Sequence, residues 1–244
     1  MAKPFLYSIQ YSPWSEKARW ALKLRRIEHR HHEYLPMIEA LRLRAHTGKW
    51  RGRITVPALV ADGVTYMDSF AIAQWADQQG SGSPLIPAAQ ATEVSHWNDA
   101  CETVMSHGRA LVTPRVAADD QAAAEQIPPN LRWIGPAGRP VFNFGVRYLQ
   151  GKYGLLEQDA EQRRSHMRTQ LKQLRQTLAG QPFVLGEFTF ADVAMAVALQ
   201  VVQPVADSYL RLGPATRRAW RDPELAVEFE DLLAWRDRLY AQWR

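Results

Sequence analysis

The first 80 residues alternate between short apolar runs and polar segments with helical spacing. The opening run, PFLYSIQ, is aromatic and β-branched, which is typical of a short buried strand. Ser12, Pro13 and Glu16 form a helix-start signal, because a hydroxyl residue caps a helix, proline fits its first position and an acid suits its first turn. In chain order the pattern predicts a strand over residues 4–10, a helix to Arg26, a polar strand over 29–35 and a short helix over 37–45.

A hairpin is predicted between residues 56 and 67. The segments VPALV (56–60) and VTYM (64–67) flank Asp62-Gly63, a dipeptide that favours a two-residue turn between antiparallel strands. A capped helix is predicted over residues 70–79. Because a helix joins the first two strands, we expect those two to be parallel. The region therefore predicts a compact four-stranded mixed sheet.

Beyond the linker-like segment GSGSP (80–84), the pattern predicts helices and no strand. The predicted segments are helices over residues 89–118, 141–152, 157–179, 190–203 and 223–243, with an irregular proline-rich loop over 127–140. We therefore expect an α/β domain over residues 1–80 and an all-helical domain over residues 86–244.

The composition excludes several classes of protein. Cys101 is the only cysteine, so neither an intrachain disulfide nor a thiolate cluster for zinc can form. No apolar run reaches the roughly 20 residues of a membrane-spanning helix, and the first residues do not resemble a signal peptide. We expect a soluble cytoplasmic protein that binds no metal and does not associate with a membrane.

The net charge of +5 is concentrated in the first 80 residues, which hold 12 Lys and Arg against 7 Asp and Glu. Such a charge favours either nucleic acid or a small anionic ligand, or is an ordinary solvated helix face. The basic cluster of Lys23, Arg25 and Arg26 has no interleaved aromatic residues and no DNA-binding motif. We therefore expect no nucleic-acid partner.

Three segments give nearly the whole chain a resemblance to the cytosolic glutathione S-transferases. YSPWSEKARWALKL (11–24) resembles the serine-type active-site segment of the tau and zeta branches. VPAL (56–59) with MDSFAI (67–72) is similar to the cis-proline and acid-serine glutathione motif, and GEFTFADV (186–193) to the capping box of the core helix. The resemblance implies a thioredoxin-like N-terminal domain followed by a helical C-terminal domain.

The resemblance implies that Ser12 is the catalytic residue, and its position suits that role. A free thiol has a pKa near about 8.5 and reacts as the thiolate. Ser12 stands where the first helix begins, so its hydroxyl and the helix N-terminus can both stabilise an anion. Ser15, one turn further, is the alternative donor, although a side chain there is expected to turn back to the backbone. Tyr7 and Tyr11 are weaker candidates because neither lies at the helix start.

The resemblance also implies the residues that bind glutathione. Val56 precedes a cis peptide bond to Pro57 and presents its main chain to the cysteinyl part. Ser69 and the helix N-terminus hold the γ-glutamyl carboxylate, and Asp68, where the family more often has Glu or Gln, pairs with the ammonium. A plain helix cap is the alternative interpretation of both residues.

The glycine carboxylate of glutathione requires a cation. Arg53 is the first candidate and Lys49 the second, because both lie in the loop before Val56. The spacing does not match the family pattern cleanly, and both residues could equally be solvated loop charges.

The electrophile site is expected along the first long helix of the second domain and the 127–148 loop. Its candidate residues are Trp14, Trp97, Arg109 and Trp133. The loop is longer than expected for the family and rich in aromatic residues, which weakly favours a bulky planar substrate. The sequence does not identify that substrate.

The resemblance therefore implies a homodimeric detoxification enzyme that conjugates glutathione to a hydrophobic electrophile or carries out a related displacement, with glutathione as cosubstrate and no other cofactor. A non-catalytic binder of hydrophobic ligands, or a protein-interaction module, is the alternative. A glutathione-dependent isomerase is disfavoured because Trp14 stands where the zeta branch has a cysteine.

Several polar residues are assigned structural roles. Thr189 and Asp192 form a T-x-x-D capping box. Alternation places His29 and His31 on one strand face, which is better explained by a solvated edge strand than by a metal site. Cys101 lies at apolar spacing within a helix, so we expect it to be buried and inert.

Overall fold

Four strands form the expected mixed sheet in the computed structural model, which describes residues 3–35, 39–126 and 160–244. The strands are β1 (Phe5–Ser8), β2 (Arg30–Glu33), β3 (Ala58–Ala61) and β4 (Val64–Tyr66), in the spatial order β2-β1-β3-β4. β1 is parallel to β2 and antiparallel to β3, and β3 is antiparallel to β4. The predicted directions of the first two strands and of the hairpin are confirmed.

The turn between β3 and β4 has the geometry that its sequence favours. Asp62 and Gly63 both have positive φ, at 49° and 79°. A type I′ turn requires this at both central residues, and its twist matches that of the flanking strands. The Asp-Gly dipeptide therefore fixes the register of the hairpin.

Three helices pack on the sheet. They are α1 (Pro13–Leu24), α2 (Ala40–Thr47) and α3 (Ser69–Gln79). On one face, Leu6 and Leu59 are fully buried in a cluster that also contains residues of α1 and α3. On the other face, Tyr7 and Ala58 pack with Leu43 of α2. Side chains of adjacent strand residues point to opposite faces, so β1 supplies both cores.

Beyond Gly80, the described residues form helices and connecting segments but no strand. The helices are α4 (Ala91–Ala118), α5 (Asp120–Glu125), α6 (Ala160–Leu178), α7 (Phe190–Ala198), α8 (Pro214–Trp220), α9 (Pro223–Glu228) and α10 (Glu230–Trp243), with short 3₁₀ turns at Ala88–Gln90 and Leu199–Val201. None of the helices in the described part combines the length and apolar character that a membrane crossing requires.

The helix boundaries differ from the predictions in several places. α4 ends at Ala118 as predicted, with Pro114 inside it, but α5 and α8 were not predicted. The single helix expected over 223–243 is two helices, because Phe229 leaves the helical region at φ −120° and ψ 33°. The loop predicted over 127–140 and the helix predicted over 141–152 lie outside the described residues.

The chain divides into two compact units. One comprises the residues up to Asn98 together with Gly180–Val197 and Leu239–Arg244, and it contains the sheet. The other comprises Asp99–Ala179 and Ala198–Arg238. The domain boundary between residues 80 and 86 stays a prediction.

C-terminal residues complete the unit that contains the sheet. Trp20 of α1 packs against Tyr240 with ring centroids 4.6 Å apart, and its indole N–H donates to the carbonyl of Trp243 at 3.2 Å. The buried Lys17 ammonium donates to Asn98 Oδ1 at 2.9 Å. α1 is therefore fixed by segments distant in sequence.

The predicted capping box at the start of α7 is present and buried. Asp192 Oδ2 accepts from the Thr189 N–H at 2.8 Å, and Thr189 Oγ1 accepts from the Ala191 N–H at 3.3 Å. Asp192 Oδ1 also accepts from the Val184 N–H at 2.8 Å. The box therefore joins the helix to the preceding loop.

The other unit is stabilised by ion pairs along α6. Arg164 donates to the fully buried Asp222 at 3.1 Å, and Arg168 donates to Glu228 at 2.8 Å. Cys101 is fully buried in α4, as predicted.

Candidate functional site

Ser12 is the N-cap of α1. Its backbone is extended, and its carbonyl accepts from the Glu16 N–H at 2.9 Å. Its Oγ lies 3.5 Å from the Ser15 N–H, which is long for a hydrogen bond. The half-buried Ser12 hydroxyl is thus only weakly engaged by its own helix and stands at the helix N-terminus.

Ser15, the alternative donor, is turned away from this position. It is fully buried, and its Oγ accepts from the Ile9 N–H at 3.1 Å. This hydroxyl holds the segment that precedes the helix, as expected for a side chain that turns back to the backbone.

The β1–α1 loop (residues 9–12) is held by Arg19 from within α1. Its Nη1 donates to the Ile9 carbonyl at 3.1 Å and to Ser8 Oγ at 3.0 Å. Its Nη2 donates to the Gln10 carbonyl at 2.8 Å. A planar guanidinium has several donors in a fixed arrangement, so one side chain can fix the path of the whole loop.

Glu16 holds the Arg19 guanidinium in place. Its Oε2 accepts from Arg19 at 2.9 Å and its Oε1 accepts from Arg244 Nε at 2.6 Å. Burial alone would raise the pKa of Glu16, but the hydrogen bonds and charges of Arg244 and Arg19 outweigh it, so the pKa lies below its usual value. Glu16 is therefore a carboxylate at neutral pH.

The two tyrosines are poorly placed for thiolate chemistry. Tyr7 is buried in the sheet, its hydroxyl bonds to His46 Nδ1 at 2.7 Å, and burial raises its pKa. Tyr11 is 41% exposed and precedes the helix. Neither hydroxyl caps α1.

An open groove of about 710 Å³ lies beside the start of α3, in the unit that contains the sheet. Its lining residues are Thr47, Gly48, Lys49, Arg53, Thr55, Thr65, Met67 and Asp68. The groove brings together three predicted site residues, the cations Lys49 and Arg53 and the carboxylate Asp68. It therefore presents charges of both signs.

The loop that carries the two cations has a defined shape. Gly48 ends α2 with φ of 68°, in the left-handed region that favours glycine. Arg44 then donates to the carbonyls of Lys49 and Gly52, each at 2.9 Å. The Lys49 ammonium lies 3.8 Å from Met67 Sδ, which places it at the groove lining.

Asp68 and Ser69 stand at the N-terminus of α3. Asp68 Oδ1 accepts from the N–H groups of Phe70 and Ala71, both at 2.9 Å, so the carboxylate caps the helix. Ser69 is fully buried, and its Oγ makes no hydrogen bond within the part of the chain that the structure describes. A buried hydroxyl without a partner is costly unless a ligand supplies one.

The Val56–Pro57 peptide bond is cis, as the resemblance implies. The strand pairing of β3 begins at Ala58, so Val56 lies beyond the ladder. Val56 and Pro57 do not line the groove themselves, but the neighbouring Thr55 does.

The candidates for the electrophile site have different surroundings. Trp14 is half-buried in the first turn of α1. Trp97 is only 4% exposed, so its ring is buried in the core. Arg109 is half-buried on α4. Trp133 lies outside the described residues.

Sequence reasoning missed five groove residues, namely Thr47, Gly48, Thr55, Thr65 and Met67. Thr55 Oγ1 donates to the Met67 carbonyl at 3.2 Å, which joins the entry to β3 with the end of β4. For Thr47, Gly48, Thr55 and Met67 the signal available in the sequence was adjacency, because they lie next to or near Lys49, Val56 and Asp68.

The histidines near β2 each have a partner within the protein. His31 Nε2 lies 2.7 Å from Ser8 Oγ, His32 Nε2 lies 2.8 Å from Glu39, and His29 Nδ1 lies 3.0 Å from the Ile27 carbonyl. Within residues 3–35, 39–126 and 160–244, no group of three or more His, Cys, Asp or Glu could hold a metal ion.

Comparison with known proteins identifies the fold. Residues 11–79 match the family model of the glutathione S-transferase N-terminal domain. The fold is that of the glutathione S-transferases. It comprises a thioredoxin-like N-terminal part with the mixed sheet and a mostly helical C-terminal part.

Solved structures with this fold align over nearly the whole chain. A Methylobacterium radiotolerans glutathione S-transferase, in complex with glutathione sulfonate, has a TM-score of 0.62 at 17% identity, covering 98% of this chain and 91% of its own. A Ceriporiopsis subvermispora glutathione S-transferase, in complex with glutathione, has a TM-score of 0.60 at 16% identity, covering 99% of this chain and 95% of its own. A beta-etherase from Sphingobium sp. has a TM-score of 0.59 at 17% identity, covering 94% of this chain and 100% of its own. No curated protein sequence matches the chain.

Proposed function

We propose that this protein is a serine-type glutathione transferase, which activates the glutathione thiol and transfers it to a hydrophobic electrophile. The observation that carries the proposal is the groove beside α3, whose charges of both signs complement those of glutathione. The match of residues 11–79 to the N-terminal domain family supports it, as do similar folds that were solved with glutathione.

Each charged end of glutathione has a complementary group. Asp68, a capping carboxylate with Oδ2 unused by the cap, is proposed to pair with the γ-glutamyl ammonium. The unpartnered Ser69 hydroxyl and the N-terminus of α3 would bind the adjacent carboxylate. Arg53 or Lys49 would bind the glycine carboxylate, and the main chain of Val56 the cysteinyl part.

Ser12 is proposed to stabilise the thiolate. Lowering the thiol pKa by about two units requires roughly 2.7 kcal/mol of preference for the anion. One hydrogen bond to a charged group contributes about 1.5–3 kcal/mol, and a helix N-terminus adds to it. The weak capping contact of Ser12 leaves its hydroxyl available, whereas Ser15 already accepts from Ile9.

The electrophile is proposed to be hydrophobic and to contact Trp14, beside Ser12. Arg109 and Trp133 stay predictions of the sequence. Trp97 is a weaker one, because its ring is buried. We further propose that the enzyme acts in the cytoplasm as a homodimer.

Calorimetric titration with glutathione tests the binding site. Asp68→Asn should weaken binding about tenfold or more, because the charge is lost while asparagine still caps the helix. Asp119 is a matched control, since its Oδ1 also accepts two N–H groups at a helix start, at 2.9 Å and 3.0 Å. Asp119→Asn should leave binding unchanged. A wild-type protein that does not bind glutathione at millimolar concentration would refute the proposal.

A serine series tests the catalytic assignment. Ser12→Ala should lower the rate near pH 7 by about one to two orders of magnitude and raise the pKa of the bound thiol. Part of the rate should return at higher pH, where solvent base forms the thiolate. Ser15→Ala should instead cost about 1–3 kcal/mol of stability, because the Ile9 N–H loses its acceptor, and leave the thiol pKa unchanged. The reverse pattern would assign the role to Ser15.

A further inference from the structure

The register of β1 and β2 brings two residues of the edge strand to the loop before α1. Leu6 pairs with His31, and Ser8 pairs with Glu33. Side chains two residues apart share a face of a sheet, and Leu6 is in the core that contains residues of α1. The side chains of Ser8, His31 and Glu33 are thus on the α1 face. Ser8 Oγ lies 2.7 Å from His31 Nε2.

The hydrogen bonds around Ser8 determine where its proton is. Arg19 Nη1 donates to Ser8 Oγ at 3.0 Å, and an arginine can only donate. Ser8 is fully buried, so its own proton needs an acceptor, and the nearest is His31 Nε2. This arrangement requires a neutral His31 with its proton on Nδ1.

The same network holds the β1–α1 loop that ends at Ser12. Glu33 Oε1 accepts from the Gln10 N–H at 2.7 Å, and Arg19 donates to the Gln10 carbonyl. The Ser12 N–H donates to the Ile9 carbonyl at 3.1 Å, which also accepts from Arg19. The position of Ser12 therefore depends on the orientation of the Arg19 guanidinium.

We propose that His31 is a positioning residue for Ser12, acting through Ser8 and Arg19. Neutral His31 accepts the hydrogen bond of the Ser8 O–H and so keeps a Ser8 lone pair directed at Arg19. Protonated His31 donates at Nε2 instead, so the buried Ser8 O–H loses its acceptor, the hydroxyl rotates away from Arg19 and the loop loosens. This inference rests on the proposed glutathione chemistry.

The charges around His31 favour the neutral form at neutral pH. Burial and then the positive charge of Arg19 lower its pKa, with smaller contributions from His29 and His32 on its own strand segment. Glu33 Oε2 is 4.0 Å from His31 Nε2. The positioning effect should therefore be complete near pH 7.5 and weaken in mildly acidic solution.

Steady-state kinetics of two His31 variants test the proposal. His31→Leu cannot accept the hydrogen bond from the Ser8 O–H, so we expect kcat about tenfold lower with KM for glutathione changed less than about twofold. His31→Gln can accept this hydrogen bond through its amide oxygen and cannot titrate, so kcat at pH 7.5 should stay within about threefold of wild type. Its rate should also fall less than that of wild type between pH 7.5 and pH 5.5.

His29→Leu is the matched control, because His29 contacts only the nearby Ile27 carbonyl by a hydrogen bond. It should retain wild-type kcat at pH 7.5, with at most a small upward shift of the pH profile, because His29 is one of the smaller contributions to the lowered pKa of His31. A His31→Leu variant as active as wild type, or a His31→Gln variant as impaired as His31→Leu, would overturn the inference.

Nitrogen NMR of the histidine side chains tests the geometry without any ligand. Wild-type His31 should carry its proton on Nδ1 at pH 7.5, and Ser8→Ala should abolish that preference. A proton on Nε2 would overturn the proposed arrangement. If wild type fails to bind glutathione, the proposed function fails, even with the expected tautomer. If glutathione binds and His31→Leu has no effect, the positioning role alone fails.

Discussion

Replacement of Asp192 by alanine should destabilise the protein by an amount that depends on pH. The carboxylate is fully buried and accepts from two backbone N–H groups, those of Val184 and Thr189, both at 2.8 Å. Each buried donor left without an acceptor costs about 1–3 kcal/mol. The variant therefore loses about 2–6 kcal/mol of hydrogen bonding.

Part of this loss is offset because the wild-type carboxylate is itself costly to bury. Burial raises the pKa of Asp192 to about 6, against the N–H groups of Thr189 and Val184, which lower it. Relative to the ordinary value of about 3.9, the ionised form costs about 3 kcal/mol in the folded state. We therefore expect a net destabilisation of at most about 3 kcal/mol at pH 7.5.

The sign of the pH dependence follows from the raised pKa. A raised folded-state pKa adds stability that is complete below the unfolded value and is lost as pH rises through the folded value. At pH 5 the wild type should therefore be more stable than at pH 7.5 by about 1 kcal/mol from this group alone. Asp192→Ala lacks this gain, so the difference in free energy of unfolding between wild type and variant should be larger at pH 5 than at pH 7.5 by about the same amount.

Urea unfolding of both proteins at the two pH values measures this difference. Asp119→Ala is the control, because that carboxylate caps α5 at a solvent-accessible position, where a lost cap costs about 1 kcal/mol. A difference between wild type and Asp192→Ala that is the same at pH 7.5 and pH 5 would refute the reasoning. It would mean that the N–H donors outweigh burial and keep the group ionised.

Three further outcomes are expected. Arg44→Ala should raise KM for glutathione several-fold with little change in kcat, because the loop that carries Lys49 and Arg53 loses two hydrogen bonds. A collapsed kcat in steady-state kinetics would contradict this. The lowered pKa of Glu16 adds stability to the wild type that is lost as the pH falls below about 4.5. The difference in Tm between wild type and Glu16→Gln should therefore shrink below that pH, and a difference that widens would contradict the assignment. Light scattering at micromolar concentration should give the mass of a dimer, and a monomer mass would refute the proposed assembly.

Local chemistry explains why much of the fold could be predicted. The Asp62-Gly63 turn, the cap at Ser12 and the box at Thr189 and Asp192 each involve neighbouring residues, so their signals are contained in a few positions. The short helix at Pro214 was missed although proline at its first position is such a signal. That helix is capped instead by a distant group, since Glu125 accepts from the N–H at the second and third positions.

The candidate site was only partly predictable, because the groove depends on contacts between elements. Lys49 and Asp68 were selected from the sequence, and the fold brings both to one groove. Thr65 was missed, since its place beside them depends on how β4 pairs with β3. The choice between Ser12 and Ser15 likewise depended on the path of the loop at Ile9, which only the three-dimensional structure describes.

The His31 network shows how strand register alone can create a functional connection. Alternation along the sequence could place His29 and His31 on a common face, but not beside Ser8. A slip of one residue in the pairing of β1 and β2 would move His31 to the opposite face, where Tyr7 now contacts His32 at a centroid distance of 5.3 Å. Register is held by Tyr34 directly after β2, which is buried in the core on the α2 face, because a slip would turn its ring out of that core. The same buried residue that fixes the edge strand therefore also determines which histidine can act on the loop before Ser12.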